Sequence, residues 1–284
     1  MVSLESGDFR LELAPQTRGS IIRLAWRGED LLRPGEAGDV LGVSHFPMVP
    51  FCNRIAEGRF RFGESEIALD ANMPAAGFAL PLHGYGWLGA WTVAARDHSH
   101  VVLDYDGSAD PWPWSYRAQQ TFRIAPGRFE MALAVTNHGA GAMPTGLGFH
   151  PYFPRNSQTL YHALQRERWT TNAAGLPDDH AISAHAADWW HGLAVETQVV
   201  DDIFAGREGV LTLLWPDRAL GLHMIPSAEL VFTTVFAPEN ADFVCVEPAT
   251  QMTDAFNRGS LQLLQPGETR EVTLVFKPFR TAGR

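Results

Sequence analysis

Two histidines and one glutamate lie in short segments rich in glycine, proline and aromatic residues. The histidines are His83, within residues 81–87, and His150, within residues 146–153; the acid is Glu247, within residues 245–250. An imidazole can give and take a proton near neutral pH, and a carboxylate removed from water becomes more basic. The three side chains are therefore candidates for proton transfer, and the aromatic residues around them are typical of a surface that packs against a sugar ring.

Each of the three residues also has a structural interpretation. Taken alone, His83 is equally well explained as a core histidine bonded to a backbone carbonyl. His150 precedes Pro151, which favours an extended backbone, so we place it at the end of a strand that runs from Met143. Glu247 follows the apolar run 243–246, where an ionised carboxylate needs a partner, and either a general base or a salt bridge to arginine satisfies this.

Substrate-binding candidates come from polar residues that follow apolar segments. Arg54 and Asn53 end the apolar loop 46–52, where the arginine fork either clamps ligand oxygens or satisfies loop carbonyls. Of the adjacent Asp201 and Asp202, one is predicted to accept hydrogen bonds from sugar hydroxyls and the other to be solvated or capping. Trp87 is predicted to form an aromatic wall.

The arginines nearest to this motif, Arg59 and Arg61, alternate with phenylalanines. That alternation predicts a strand with both arginines facing solvent.

Motifs for other chemistries are missing from the sequence. It contains no GxxxxGK[ST], GxSxG or HExxH pattern, so P-loop, serine-hydrolase and zincin sites have no support. His180, His185 and His191 lie close together, but their spacing fits no known ligand frame. We predict that the protein uses neither a metal nor a cofactor.

The composition restricts the partners and the compartment. With 22 basic and 32 acidic residues, the formal net charge is -10, which argues against nucleic acid and disfavours strongly anionic substrates. Cys52 and Cys245 are predicted to be buried thiols in a reducing compartment. The first residues lack a signal-peptide pattern, and no apolar run reaches about 18 residues, so we predict a cytoplasmic protein without membrane contact.

Most of the sequence indicates short strands separated by Gly, Pro, Asn and Asp. The predicted strands are 9–13, 60–69 around a turn at 63–64, 101–105, 117–124, 129–136, 195–200, 210–214, 220–225, 230–236, 243–246 and 271–276. Helical patterns are confined to residues 181–190 and 253–256. This pattern predicts an all-β fold, a large antiparallel β-sandwich that forms a single domain over residues 1–284.

In their order along the chain, these motifs resemble the aldose 1-epimerase (galactose mutarotase) family. The matching positions are Asn53-Arg54-Ile55 with Gly58 and Phe60, His83-Gly84 with Trp87, residues 148–153, Asp201 with Phe204, residues 246–248, residues 254–257 and residues 264–268. Any one motif is weak, but the ordered set spans nearly the whole chain and is specific.

The resemblance implies a galactose mutarotase-like sandwich with an open sugar cleft and no cofactor. By similarity, Glu247 matches the general base, His150 the general acid, and His83 a hydrogen-bonding histidine near the ring oxygen and C1. Arg54 and Asp201 match substrate-binding positions, beside which we place Asn53 and Trp87. The chain departs from the pattern at Asp202, where many members have His or Asn, and in lacking an arginine after His83-Gly84.

The predicted function is that of an isomerase that interconverts the α and β anomers of a free aldose. An acid and a base open and close the hemiacetal, each contributing a factor of about 10² to 10⁴. Two alternatives stay open: a hexose 6-phosphate 1-epimerase, which would need clustered arginines, and a non-catalytic sugar-binding protein of the same fold. The expected partner is a small-molecule sugar, and the chain is expected to be a monomer or homodimer.

Overall fold

Strands of two to twelve residues make up most of the protein. The computed structural model describes residues 1–39, 41–182, 189, 192–195, 199–259 and 261–282. The first twelve strands are β1 (Val2–Ser6), β2 (Phe9–Ala14), β3 (Ser20–Trp26), β4 (Glu29–Asp30), β5 (His45–Met48), β6 (Arg59–Phe62), β7 (Ser65–Ala68), β8 (Thr92–Arg96), β9 (His100–Gly107), β10 (Tyr116–Ala125), β11 (Arg128–Asn137) and β12 (Met143–Pro144).

The second half of the chain continues in the same way. Its strands are β13 (Gly148–Pro154), β14 (Leu160–Leu164), β15 (Glu167–Thr171), β16 (Pro177–Ile182), β17 (Leu193–Ala194), β18 (Val200–Ala205), β19 (Glu208–Trp215), β20 (Leu220–Pro226), β21 (Phe232–Ala237), β22 (Phe243–Ala249), β23 (Leu263–Leu264) and β24 (Thr269–Arg280). Single 3-10 turns lie at Ala56–Gly58, Pro74–Ala76, Pro216–Arg218 and Ala255–Asn257.

Two large antiparallel sheets contain most of these strands. The first sheet has the order β1-β2-β3-β5-β13-β22-β21-β18-β15-β16, with β4 paired to β3. The second sheet has the order β17-β14-β19-β20-β24-β11-β10-β9-β8, and the pairs β12-β23 and β6-β7 lie outside both. In the first sheet β13 pairs with β22, which is about ninety residues away along the chain, and the candidate site lies on the neighbouring strands β13, β22, β21 and β18.

The two sheets pack face to face through alternate side chains of their strands. Along β10 the even-numbered residues from Tyr116 to Ile124 are all buried, as the period of two in a strand requires. Phe153 of the first sheet meets Phe276 of the second with ring centroids 5.8 Å apart. The sandwich of antiparallel sheets predicted from the sequence is therefore confirmed.

Several boundaries differ from the sequence prediction. Of the strand predicted at 195–200, Val200 begins β18 and residues 196–198 lie outside the described residues, so Asp201 and Asp202 lie inside a strand. The strand expected from Met143 is divided into β12 and β13, which places His150 in the middle of β13. Glu247 likewise lies within β22 rather than after it.

The two predicted helical segments have different outcomes. Residues 253–256 contain a single 3-10 turn, Ala255–Asn257. Of residues 181–190, the first two end β16, and most of the others lie outside the described residues. No helix among the described residues is long and apolar enough to cross a membrane.

Candidate active site

The central strands of the first sheet present the candidate catalytic residues on the face turned away from the sandwich core. Along β13, Phe149 and Phe153 join the main core, while His150 and Tyr152 point to the opposite face. The register that pairs Gly148 with Ala249 and Tyr152 with Cys245 sets His150 opposite Glu247 of β22. The antiparallel pairing thus brings together two residues that are almost a hundred positions apart.

The His150 and Glu247 side chains touch in a nearly dry environment. Nε2 of His150 lies 3.2 Å from Oε1 of Glu247, and the two residues are only 6% and 3% exposed. The ring of Phe46, from the neighbouring strand β5, stacks on the His150 ring with centroids 4.3 Å apart. This stacking fixes the imidazole plane and keeps water from one of its faces.

Burial shifts the proton equilibria of both members of the pair in opposite directions. Loss of hydration lowers the pKa of His150 to about 3, and the nearby Arg33 and Arg54 charges act in the same direction. Loss of hydration raises the pKa of Glu247 well above its ordinary value, and the neighbouring Asp201 raises it further. The pair therefore holds a single proton over a wide pH range.

His83 lies beside this pair with a defined tautomer. Its Nδ1 accepts a hydrogen bond from the backbone N–H of Asn53 at 3.2 Å, so Nε2 carries the proton of the neutral ring. Its ring centroid is 5.1 Å from that of His150. Burial lowers the pKa of His83 well below its ordinary value, with His150 and Arg54 contributing, so the ring is a neutral hydrogen-bond donor.

The backbone around His83 has a shape that depends on Gly84. His83 and Asn53 both adopt left-handed conformations, with φ of 57° and 55°. Gly84 has φ of 72°, and a Cβ there would lie 2.1 Å from the carbonyl oxygen of Val49. The sequence His-Gly is thus required by close backbone packing as well as by the imidazole.

Arg54 and Asp201 reach the same cavity from different parts of the chain. Asn53 Oδ1 accepts hydrogen bonds from the backbone N–H of Arg54 at 2.9 Å and from its Nη1 at 3.2 Å. Asp201 is on β18, and burial raises its pKa, with Arg54 opposing and Asp202 adding to the effect. The structure thus brings six of the seven predicted site residues to one cavity.

This cavity has a volume of about 100 Å³ and is lined by both polar and aromatic side chains. The lining residues are Leu41, Phe46, Asn53, Arg54, Phe78, Leu82, His83, His150, Tyr152, Asp201, Thr234, Phe236 and Glu247. A second, outer cavity of about 450 Å³ shares Arg54, Phe78 and Asp201 with this inner cavity and continues it outward. Hydroxyl-binding groups beside aromatic faces suit a small, uncharged, polar ring.

Trp87 is the predicted site residue that does not line the cavity. It is fully buried, and its Nε1 donates to the carbonyls of Leu82 and Gly84 at 2.9 and 3.0 Å. Its ring packs against Phe46 and His83, with centroid distances of 5.0 and 5.6 Å. The expectation of an aromatic wall at Trp87 is corrected: the ring supports the site residues from behind.

Asp202 also differs from expectation, because it is neither solvated nor capping. It is buried on the other side of β18 from Asp201, and its Oδ2 accepts a hydrogen bond from Nε of Arg168 at 2.7 Å. Alternation along the strand separates the two aspartates, so only Asp201 faces the cavity. Arg59 and Arg61 are exposed on β6, as predicted, and do not line the cavity.

The sequence did not reveal two features of the site: the aromatic side chains that line the cavity, and Arg33, which packs against one of them. Arg33 stacks over the rings of Tyr152 and Phe243 at 4.7 and 4.9 Å, and its Nη2 donates to the carbonyls of Leu41 and Val43. Tyr152 was detectable, since it is two residues from His150 on one strand. Arg33 carried no local signal.

One group of possible metal ligands lies among the described residues. Donor atoms of His150, Cys245 and Glu247 are within 4.8 Å of one another. Burial raises the pKa of the Cys245 thiol well above its ordinary value, which opposes the thiolate that a metal requires. The predicted absence of a metal remains a prediction.

The remaining histidines and cysteines of the sequence analysis are accounted for as follows. His180 contacts Glu167 and stacks on Trp169, with ring centroids 4.1 Å apart, while His185 and His191 lie outside the described residues. Cys52 and Cys245 are buried and free, as predicted.

Comparison with known proteins identifies the family of this chain. A family model described as aldose 1-epimerase matches residues 19–277. The chain belongs to the aldose 1-epimerase family. The uncharacterised protein YphB of Escherichia coli (strain K12) is 32% identical to it, over 96% of this chain and 97% of YphB.

Solved structures from this family have the same fold. A candidate aldose 1-epimerase from Escherichia coli K12 superposes with a TM-score of 0.91 at 28% identity, covering 98% of both chains. A galactose mutarotase-like protein from Clostridium acetobutylicum superposes with a TM-score of 0.86 at 15% identity, covering 98% of this chain and 95% of the other. The second likeness concerns the fold alone.

Proposed function

We propose that this member of the aldose 1-epimerase family interconverts the α and β anomers of a neutral aldose. The observation that carries the proposal is the buried contact of His150 Nε2 with Glu247 Oε1 at 3.2 Å on the lining of this cavity. An acid and a base so close together reach the ring oxygen and the C1 hydroxyl of one pyranose, which are bonded to the same carbon.

In the proposed mechanism Glu247 takes the proton of the C1 hydroxyl while His150 protonates the ring oxygen. The C1–O5 bond then breaks, the aldehyde rotates about C1–C2, and closure on the other face returns both protons. His83 donates a hydrogen bond from Nε2 near these oxygens. The reaction starts with one proton on the pair, and transfer of that proton from Glu247 to His150 across their contact prepares both roles.

The proposed roles of the binding residues follow from their chemistry. Arg54 donates to sugar hydroxyls, Asp201 accepts from them, and Asn53 orients Arg54 through its Oδ1. Among the aromatic side chains that line the cavity, Phe78 and Phe236 are only partly buried, and their rings offer apolar faces for the C–H side of the sugar. A pure binding protein would gain nothing from the buried acid and base, so we favour catalysis over the non-catalytic alternative.

Charge favours a neutral aldose over a hexose 6-phosphate. Among the described residues, Arg54 is the one arginine or lysine that lines the inner cavity, where it interacts with the carboxyl groups of Asp201 and Glu247. A phosphate dianion needs several charge-assisted donors and is repelled by such carboxylates. Arg59 is turned to solvent and paired with Glu66, so it is not available to a phosphate in the cavity.

Polarimetry on freshly dissolved α-anomers tests this function. We expect faster mutarotation of glucose, galactose or a related neutral aldose than without enzyme, with little dependence on salt because no ion pair is screened. Glucose 6-phosphate is measured in parallel at low and moderate ionic strength. A clear preference for the phosphate that weakens as salt is added supports the phosphate epimerase instead, and sugar binding without any mutarotation supports the non-catalytic module.

The cellular setting belongs to the same proposal. Two free, buried cysteines suit a reducing compartment, so we propose a cytoplasmic enzyme. Size-exclusion chromatography with light scattering distinguishes the expected monomer or homodimer.

A further inference from the structure

The guanidinium of Arg54 lies directly against Gly175. A Cβ built on Gly175 would be 2.6 Å from both Cζ and Nη1 of Arg54 and 2.9 Å from its Nε. These three atoms all belong to the guanidinium group, so the backbone of Gly175 packs directly against it. Any larger residue at position 175 would occupy the space in which the Arg54 head now lies.

Gly175 belongs to a turn, residues 172–175, whose shape its own hydrogen bonds fix. The turn joins β15 to β16. The backbone carbonyl of Asn172 accepts a hydrogen bond from the N–H of Gly175, and the backbone N–H of Asn172 donates to the carbonyl of Leu176. The side-chain Oδ1 of Asn172 also accepts from the backbone N–H of Ala174 at 2.9 Å and of Leu176 at 3.2 Å. A turn held in this way cannot easily withdraw from the arginine.

Few polar contacts hold the Arg54 guanidinium itself. Among the described residues, Asn53 Oδ1 is the acceptor of its side-chain hydrogen bond, and Arg54 forms no ion pair with a carboxylate. A long arginine side chain with one such bond retains rotamer freedom unless packing removes it. The turn 172–175 supplies that packing and also lines the outer cavity that continues the sugar site.

We propose that Gly175 is a positioning residue, which fixes the Arg54 guanidinium where it can bind sugar hydroxyls. The turn 172–175 is then the element that sets sugar affinity, although none of its residues lines the inner cavity. This inference rests on the proposed function, because it assigns Arg54 the role of binding an aldose. It differs from a role in folding, since the displaced group would be the flexible end of a side chain.

The test is the variant Gly175→Ala, with Gly127→Ala as its matched control. Gly175 has φ of 70° and Gly127 has φ of 71°, so both alanines suffer the same backbone strain. Gly127 lies in the β10–β11 turn, and a Cβ there meets nothing within 4 Å. The two variants thus differ in whether the new methyl group strikes Arg54.

We expect Gly175→Ala to raise KM for the preferred aldose by about tenfold, with kcat changed by less than about threefold. Gly127→Ala should leave both constants at the wild-type values, and the two variants should lose similar amounts of thermal stability. Equal kinetics of the two variants, or a fall in kcat with unchanged KM, overturns the positioning role.

A double-mutant cycle separates this effect from a general disturbance of the loop. In an Arg54→Ala background the substitution Gly175→Ala should raise KM no further, because the group that it displaces is already absent. An undiminished effect in that background overturns the proposal. If the wild-type protein lacks mutarotase activity on every aldose, the proposed function is wrong. That result differs from the kinetic results that would contradict the positioning role of Gly175.

Discussion

Nε2 of His150 lies 3.2 Å from Oε1 of Glu247, beneath the ring of Phe46. Burial moves the pKa of the histidine down and that of the glutamate up, so both residues favour their uncharged forms. The two side chains are in contact, and burial lowers the pKa of one and raises the pKa of the other. Together they therefore hold one proton.

Replacing the proposed base should remove catalysis while retaining the shape of the pocket. We expect Glu247→Gln to lower kcat by at least about 10², with a smaller effect on KM, because the amide cannot accept the C1 hydroxyl proton. Polarimetry under saturating sugar measures this. The control is Glu66→Gln, which neutralises an exposed carboxylate on β7 and should behave as wild type. Near-normal kcat in folded Glu247→Gln protein would show that Glu247 is not the base.

The two histidines of the site should differ in importance. His150 contacts the base and is proposed to protonate the ring oxygen, whereas His83 only donates a hydrogen bond. We therefore expect His150→Asn to lower kcat more than His83→Asn on the same sugar, with kcat reduced by about 10² or more in the first. The opposite order would exchange their roles.

The pH profile should reflect the shifted pKa values rather than ordinary ones. An unperturbed pair would gain its second proton near the ordinary carboxyl pKa of about 4.5. With the pKa of His150 lowered to about 3 and that of Glu247 raised, the single-proton pair persists to about pH 3.

We therefore expect no acid limb of kcat/KM from the pair until the pH approaches about 3, and we assign the alkaline limb to Glu247. Because burial also raises the pKa of the sugar-binding Asp201, the profile is compared between wild type and Asp201→Asn. Exchange NMR of the two anomers, with fluorescence to verify folding at each pH, measures both profiles. An acid limb centred between pH 4 and 5 that persists in folded Asp201→Asn protein contradicts the shifts.

Stability should depend on pH through a histidine outside the site. His45 is fully buried, and neither of its ring nitrogens has a hydrogen-bond partner in the described part of the chain. Burial lowers its pKa to about 3, with His150 adding to the effect. The unfolded chain binds a proton below the ordinary pKa of 6.5 and the folded chain does not, so this residue makes stability fall as pH falls from about 6.5 towards 3.

His45→Phe removes that titration and should fit beside Phe149. We expect the drop in unfolding free energy between pH 7 and pH 5 to shrink by about 2 kcal/mol. Urea unfolding at the two pH values measures it, and an unchanged drop contradicts the lowered pKa.

Chelation should leave the activity intact. The chemistry proposed for His150 and Glu247 requires only proton transfer, and the buried thiol of Cys245 opposes metal binding. We expect protein dialysed against EDTA to match untreated protein in kcat. Loss that a divalent ion restores would instead indicate a bound metal, and Cys245→Ser would then show whether the cluster of three donors holds it.

The sequence by itself determined the class of fold and the kinds of residue in the site. Alternation of apolar and polar residues, interrupted by glycine and proline, specified strands such as β10 and β11 nearly to their ends, because burial on one face imposes a period of two. The Gly/Pro setting of His83, His150 and Glu247 marked them as unusual, and their order along the chain matched one family.

Only the tertiary structure decided which residues meet. A period of two cannot say which strands become neighbours, so the contact of His150 with Glu247 and the cover of Gly175 over Arg54 appear only after β13 pairs with β22 and the β15–β16 turn reaches the site. Local pattern also placed Trp87 in the cavity, whereas packing buries it, because a large ring gains more by filling the space behind His83 than by facing water. The sequence gives the chemical type of each side chain directly. Its burial and its neighbours depend on contacts between distant parts of the chain.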